Sequence, residues 1–143
     1  MKKYATIIAL LLVCLTVVSG PQSVNAQKGN QGGGGSAPVC AGITVSTSSP
    51  QVTRGYNVGV VAMVTNCSSS KQRITVQLTM VSACGAESAI GYNRTALEPG
   101  QSIQVTAAYP IYENACPGVY TVKATASVSR TVLSSATTTF TVL

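Results

Sequence analysis

The sequence predicts an all-β domain built as a seven-stranded antiparallel sandwich with two disulfides. The chain beyond residue 38 is rich in Val, Thr, Ser and Ala and poor in Leu, a composition that favours strands over helices. Apolar and polar residues alternate there at every second position, as in strands with one buried and one solvated face. Short turn signals divide the pattern into seven segments, which suits a sandwich of about 100 residues.

In chain order, the predicted strands cover residues 43–47, 57–65, 74–80, 92–97, 103–109, 120–128 and 132–142. The first is a short run that ends at the turn signal Ser49-Pro50, and the second is a more continuously apolar run. The third alternates strictly between 74 and 80, with apolar residues at even positions and Thr or Gln at odd positions. This alternation predicts one buried and one solvent-facing side.

The last four strands follow from similar signals. The fourth is short and ends at Glu98-Pro99-Gly100, a sequence typical of a turn. Residues 103–109 are apolar at odd positions and residues 120–128 at even positions, so each predicts one inward face. The seventh strand completes the count, with Phe140 and Val142 spaced to point inward.

The chain is expected to have three parts. Residues 1–26 have the features of a cleaved secretion signal, with a positive start at Lys2 and Lys3, an apolar run and small residues at the end. Residues 27–38 are glycine-rich and predict a flexible linker, which leaves residues 39–143 as the folding unit. We expect no transmembrane span in the mature chain and a secreted protein of the periplasm, cell surface or medium.

Three segments of the folding unit carry a resemblance to a known group of proteins. They are Val58–Asn66, Leu-Glu-Pro-Gly-Gln at 97–101 and Pro-Gly-Val-Tyr-Thr-Val at 117–122. With these segments the chain resembles the immunoglobulin-like and fibronectin type III-like modules of secreted bacterial proteins, including the cell-adhesion-related domain type. The resemblance implies a β-sandwich across residues 39–143. It also implies that Tyr120 is a structural tyrosine whose hydroxyl bonds back to the preceding loop.

The cysteines of the folding unit form an even set in a chain with an export signal, which predicts disulfides. In a sandwich of this topology, the first strand begins where the second finishes, so we predict a bond between Cys40 and Cys67. The third strand finishes beside the connection between the fifth and sixth, so we predict a second bond between Cys84 and Cys116. A zinc site is the competing use, but there is no Cys-x-x-Cys pair and no histidine. Lipid attachment at Cys14 is a weaker alternative, because this residue lies within the apolar run of the signal.

The inventory of catalytic side chains predicts that the protein is not an enzyme. The chain has no histidine and no aspartate, which most hydrolytic triads and metal sites require. A glycosidase pair of Glu87 and Glu113 is a minor alternative, and so is an isopeptide bond between Lys123 and either Asn57 or Asn114. We expect no cofactor and no metal.

The charge of the chain is mildly positive and scattered. The net charge of +6 falls to +4 when Lys2 and Lys3 leave with the signal. Such a bias could favour anionic surface polymers or acidic partner proteins, although solubility is the favoured explanation of these scattered charges. There is no basic run with interleaved aromatic residues, so we expect no nucleic-acid binding.

Two further patterns have ordinary explanations. Met63 and Met80 could bind Cu(I), but Met80 is in phase with the apolar side of its strand, which predicts core packing. Glycosylation sequons begin at Asn66 and Asn93, and they matter only in a host that glycosylates.

Exposed tyrosines near the predicted loops are the candidate contact residues, and we single out Tyr92 and Tyr112. The leading interpretation is a non-enzymatic exported module that contacts an envelope protein or a surface polysaccharide, at the cell surface or in the periplasm. The alternative is a soluble periplasmic small-ligand-binding or inhibitor protein.

Overall fold

The computed structural model describes residues 38–143, so the predicted signal at 1–26 and nearly all of the predicted linker at 27–38 lie outside the described residues. Eight strands run in chain order: β1 (Ala41–Thr47), β2 (Gln51–Val52), β3 (Asn57–Asn66), β4 (Gln72–Val81), β5 (Glu87–Leu97), β6 (Ser102–Pro110), β7 (Gly118–Val128) and β8 (Thr131–Val142). They form a three-stranded sheet in the order β1-β3-β6 and a five-stranded sheet in the order β2-β8-β7-β4-β5. No helix within the described range is long and apolar enough to cross a membrane.

The all-β class with two disulfides is confirmed, but the strand count is eight rather than seven. The additional strand, β2, runs parallel to β8, with Gln51 opposite Thr141 and Val52 opposite Val142. The other strand pairs are antiparallel. A strand of two residues is too short to show an alternating pattern, which explains why the sequence did not predict it. β5 also begins earlier than predicted, at Glu87 rather than at residue 92.

The inward faces of the two sheets meet in one hydrophobic core. The alternation predicted for residues 74–80 is confirmed, because the four apolar side chains of that segment, Ile74, Val76, Leu78 and Met80, are all buried. β3 faces them from the other sheet with Val58, Val60 and Val64, none of which has any exposed surface. Burial of each such side chain contributes about 1.5–3 kcal/mol, so these central strands supply much of the stability of the sandwich.

The two disulfides lie at opposite ends of the sandwich and join the cysteines in the predicted pairs. Cys40 and Cys67 have Cα atoms 5.0 Å apart, and those of Cys84 and Cys116 are 6.0 Å apart. The first bond lies beside the start of β1 and the end of β3, near the β7–β8 turn, and we call this the Cys40 end. The second lies beside the end of β4 and the start of β7, and we call this the Cys84 end.

A buried amide joins the loops at the Cys40 end. Asn66 has no exposed surface, and its Nδ2 donates to the carbonyls of Ser70 and Leu97, each at 2.9 Å. Its Oδ1 accepts from the backbone N–H of Ser68 at 3.0 Å and from the hydroxyl of the same residue. The N–H of Gly100 donates to the Asn66 carbonyl at 2.7 Å. One residue therefore connects the loop after β3 with the end of β5 and the turn that follows it.

A tyrosine occupies the corresponding position at the Cys84 end. The Tyr120 hydroxyl donates to the carbonyl of Cys116, four residues earlier, at 3.0 Å. Its ring lies 5.3 Å from the ring of Phe140, centroid to centroid, inside the core. Burial raises the pKa of the Tyr120 hydroxyl above 10.0, and the neighbouring Tyr109 raises it further.

Candidate contact surface

The outer side of the five-stranded sheet is polar and carries charge. Its outward residues on β4, β5, β7 and β8 include Arg73, Thr75, Gln77, Thr79, Glu87, Tyr92, Arg94, Thr121, Lys123, Thr125, Ser127, Ser135, Thr137 and Thr139. We call this the polar face. Hydroxyl groups dominate it, and three basic side chains are set among them.

The outer side of the three-stranded sheet has a different character. Its outward residues are Gly42, Thr44, Ser46, Gly59, Val61, Met63, Thr65, Ser102, Gln104, Thr106 and Ala108. We call this the neutral face, because none of these residues carries a charge. Met63 is its largest exposed apolar side chain, with 41% of its surface accessible.

An open depression lies on the polar face near the Cys40 end. It has a volume of about 590 Å³ and is lined by Thr75, Tyr92, Arg94, Ser127, Ser129 and Arg130. We call it the Tyr92 depression. Its lining combines the Tyr92 ring, two guanidinium groups and the hydroxyls of Thr75, Ser127 and Ser129, which are groups that can bind an anionic or hydroxyl-rich ligand.

The register of the sheet brings these residues together. Arg94 of β5 lies directly opposite Thr75 of β4, and Thr75 lies opposite Ser127 of β7. Tyr92 lies opposite Gln77, one outward position further along. Directly opposite residues in an antiparallel pair are about 4.5–5.5 Å apart, so this row forms one continuous side of the depression.

A bulge in β5 decides which way Tyr92 and Arg94 face. Leu78 pairs with Gly91 and Thr79 pairs with Ala89, so Ile90 is the extra residue. Exposed residues of β5 fall at odd positions before this point and at even positions after it. A bulge shifts the alternation in this way, and here it turns Tyr92 and Arg94 outward.

The remaining side of the depression comes from the turn between β7 and β8. Ser129 and Arg130 form this turn and both have positive φ angles, 48° and 72°. Two-residue hairpin turns with two positive φ angles strongly prefer Asn-Gly. Most other residues are disfavoured in this left-handed region of backbone conformation. The turn nevertheless holds Arg130 against the depression.

The two predicted contact tyrosines lie far apart. Tyr92 is 67% exposed in the middle of β5, not at a loop as the sequence suggested. Tyr112 is 65% exposed in the connection between β6 and β7, at the Cys84 end. There it borders a smaller hollow of about 210 Å³, together with Tyr109 and the buried Ile111. The structure therefore brings only Tyr92 together with basic side chains.

Sequence reasoning did not single out Arg94, Ser129 and Arg130. Arg94 and Arg130 lie in different strand pairs, so no local pattern connects them. The one available signal is the short gap between the predicted strands at 120–128 and 132–142, which implied a tight turn containing Arg130.

The residues of the alternative copper site and isopeptide bond lie in separate places on the sandwich. Met80 is buried and Met63 is exposed on the neutral face, so the two thioethers do not form a common site. Lys123, Asn57 and Asn114 are all exposed. Within residues 38–143 there is no group of three or more His, Cys, Asp and Glu side chains that could hold a metal ion.

No family model matches the chain, and no curated protein matches it. Solved structures do match. The CARDB domain of the PF1109 protein from Pyrococcus furiosus, solved in complex with di-metal ions, superposes with a TM-score of 0.57 at 16% identity, over 75% of this chain and 89% of that one. These values show a shared β-sandwich fold and nothing about metal binding by this chain.

Two larger proteins contain a similar fold. A β-glucosidase, EmGH1 from Erythrobacter marinus, matches 73% of this chain and 16% of its own length, with a TM-score of 0.60 at 16% identity. The alkylpurine DNA glycosylase AlkC from Pseudomonas fluorescens, solved bound to DNA with an abasic site analog, matches 71% of this chain and 30% of its own length, with a TM-score of 0.57 at 16% identity. This chain thus spans less than a third of either protein.

Proposed function

We propose that this protein is an exported, non-enzymatic sandwich module of the immunoglobulin-like or fibronectin type III-like type. Its function is to contact a protein or glycan of the cell surface or periplasm through the polar face. The observation that carries the proposal is the Tyr92 depression, where an exposed aromatic ring and two guanidinium groups converge on one side of the sandwich. Exposed aromatic and arginine side chains are enriched at contact sites.

The strand order supports the immunoglobulin-like type. β1, β3 and β6 form one sheet, while β8, β7 and β4 are neighbours in the other, as in sandwiches where the last two long strands pair with the third. The Tyr120 hydroxyl bonded to the carbonyl of Cys116 resembles the tyrosine corner of such domains.

Export and lack of catalysis rest on separate observations. Two disulfides favour an oxidising compartment outside the cytoplasm. The glutamates of the described residues, Glu87, Glu98 and Glu113, are all exposed, and none of them lines the Tyr92 depression. The depression is open to solvent, which favours a surface or polymer partner over the enclosed small ligand of the alternative interpretation.

Retention by the envelope tests the contact function. The full chain would be produced in an exporting host and incubated with envelope fragments of the organism that naturally makes it. The fragments would then be sedimented, and the protein that sediments with them would be quantified. We expect clear retention of the wild type and at least fivefold weaker retention of Tyr92→Ala. Met63→Ala is the matched control, because it also removes one large exposed side chain, but from the neutral face.

The outcomes separate the parts of the proposal. Equal retention of Tyr92→Ala and the wild type, with a loss in Met63→Ala, would assign the contact to the neutral face instead. A wild type that stays in the supernatant as a partner-free protein would contradict the contact function.

A further inference from the structure

We propose that the Tyr92 depression binds an acidic polysaccharide, a polymer of sugar rings that carry carboxylate or sulfate groups. This inference rests on the contact function proposed above and names the ligand of the same site. The depression supplies what such a polymer requires: fixed positive charge, hydroxyl partners and a flat apolar surface, all on one open side of a sheet.

The positive charge of the depression is available to a ligand. Within residues 38–143 one ion pair forms, between Lys71 Nζ and Glu98 Oε1 at 2.6 Å. Neither residue lines the depression. Glu87, the carboxylate on the polar face, begins β5, seven residues from Arg94, about 23 Å along an extended strand. Arg94 and Arg130 are both exposed, and among residues 38–143 neither guanidinium group forms an ion pair.

The residue types match acidic sugars. A guanidinium group presents parallel N–H donors that fit the two oxygens of a carboxylate, and it does the same for other oxyanions. The hydroxyls of Thr75, Ser127 and Ser129 can donate to and accept from sugar hydroxyls. The Tyr92 ring, 67% exposed, offers a flat apolar surface for the C–H side of a sugar ring.

The backbone of the β7–β8 turn is a second and independent observation. Ser129 and Arg130 both have positive φ angles, in the left-handed region that residues other than glycine and asparagine rarely adopt. Strained backbone is found preferentially at binding sites, where it positions a functional side chain. In this turn the strained residues are the same two that line the depression.

Binding to defined polymers tests the inference. The probes are polygalacturonate, which carries carboxylates, dextran sulfate, which carries sulfates, and neutral dextran of similar length. Poly-glutamate is the fourth probe, because it presents carboxylates on a peptide without sugar rings. We expect affinity electrophoresis or calorimetry of the full chain to show binding to one or both acidic polysaccharides at least tenfold tighter than to dextran or poly-glutamate.

Variants then locate the site. We expect Arg94→Ala, Arg130→Ala and Tyr92→Ala each to weaken binding at least tenfold. Lys123→Ala is the matched control, because it removes one positive charge from the same face, four residues along β7 from Ser127, and it should change affinity less than threefold. Arg130→Lys keeps the charge but loses the guanidinium geometry, so it should bind more weakly than the wild type. Unchanged thermal unfolding of each variant shows that the loss is local.

Several results would overturn the inference. Equal binding of poly-glutamate would indicate an acidic peptide ligand, and equal binding of dextran would remove the role of charge. An equal loss in Lys123→Ala would show diffuse attraction rather than a site. If no polysaccharide binds but envelope retention still depends on Tyr92, the ligand class is wrong and the contact function stands. If a polysaccharide binds and envelope retention is absent, the contact function is wrong instead.

Discussion

The Cys40 end and the Cys84 end are held by similar means but differ in what they leave free. Each has one disulfide and one buried polar side chain that bonds to backbone carbonyls. Asn66 makes contacts with three separate segments at the Cys40 end, whereas the hydroxyl of Tyr120 bonds only to the loop just before its own strand. The candidate binding site lies at the end with the more extensive network.

This difference suggests that the Asn66 network supports the binding site at the Cys40 end. A strained turn persists only where its surroundings determine its conformation. The network around Asn66 fixes the loops beside β4 and β5, the strands that face the β7–β8 turn across the depression. We therefore expect the two ends to respond differently to equivalent changes.

Removing either disulfide should have the largest effect, and the effect should be similar at the two ends. The bonds close loops with sequence separations of 27 and 32 residues, so chain entropy predicts a loss of about 3–4 kcal/mol for each. Paired substitutions, Cys40→Ala with Cys67→Ala and Cys84→Ala with Cys116→Ala, leave no free thiol. Urea unfolding measures both losses, and a difference above about 2 kcal/mol would show that one end carries strain or residual structure that the other lacks.

Replacing the buried amide should come next. Asn66→Ala leaves the carbonyls of Ser70 and Leu97 and the N–H of Ser68 without their partner, which should cost about 3 kcal/mol. Ser68→Ala is the control, because it removes one hydroxyl, which contacts Asn66 Oδ1 and the Ser70 carbonyl, and keeps the buried amide, so it should cost about 1 kcal/mol. Equal free energies of unfolding for the two variants would contradict the central role of Asn66.

The corresponding change at the Cys84 end should be smaller. Tyr120→Phe keeps the ring beside Phe140 and removes one hydrogen bond, so it should cost about 1 kcal/mol at neutral pH. Chemical unfolding of this variant and Asn66→Ala, measured side by side, compares the two ends directly. A loss as large as that of Asn66→Ala would remove the contrast between them.

Tyr120 should also make stability depend on alkaline pH. Its pKa is raised in the folded protein, chiefly by burial and further by Tyr109, so the folded state holds the proton more tightly than the unfolded state. This contribution is fully present below the unfolded pKa of about 10 and is lost as the pH rises through the folded pKa. Unfolding measured from about pH 8 to pH 10.5 should show a decline that is smaller in Tyr120→Phe.

A gain in stability is expected at the β7–β8 turn. Replacing Ser129 with Asn and Arg130 with Gly supplies the residues that a turn with two positive φ angles prefers, so stability should rise by about 1 kcal/mol. Thermal unfolding measures the gain. A variant less stable than the wild type would show that the native turn is already relaxed by contacts of Ser129 or Arg130.

Much of this fold could be predicted because burial imposes a period of two on the central strands. β4 and β7 face the core on one side along nearly their whole length, so their apolar residues alternate in the sequence. The two ends could be paired from the cysteines, since a sandwich brings only certain strand ends together. β2 could not be predicted, because its two residues are specified by pairing with β8 rather than by any pattern of their own.

The candidate site was harder to predict because it depends on departures from regular structure. The bulge at Ile90 reverses the alternation of β5. Ser88 lies on the inward side, and regular alternation would place Tyr92 and Arg94 on that side as well. The bulge turns them outward instead. Ser129 and Arg130 occupy a turn whose usual sequence signature they lack. The bulge is a property of the assembled sheet, and the turn shows in the sequence only as the short gap between the predicted strands at 120–128 and 132–142.

The burial of Asn66 has a practical consequence for producing the protein. Asn66-Cys67-Ser68 matches the acceptor pattern for N-linked sugars, but the nitrogen that would receive the sugar is the donor to Ser70 and Leu97 inside the fold. Sugar attachment and closure of the Cys40 end therefore exclude one another. We therefore expect any chains that a glycosylating host modifies at Asn66 to be less stable than the unmodified protein. Ser68→Ala destroys this acceptor pattern while keeping Asn66, whereas the second pattern, which begins at Asn93, would need its own substitution.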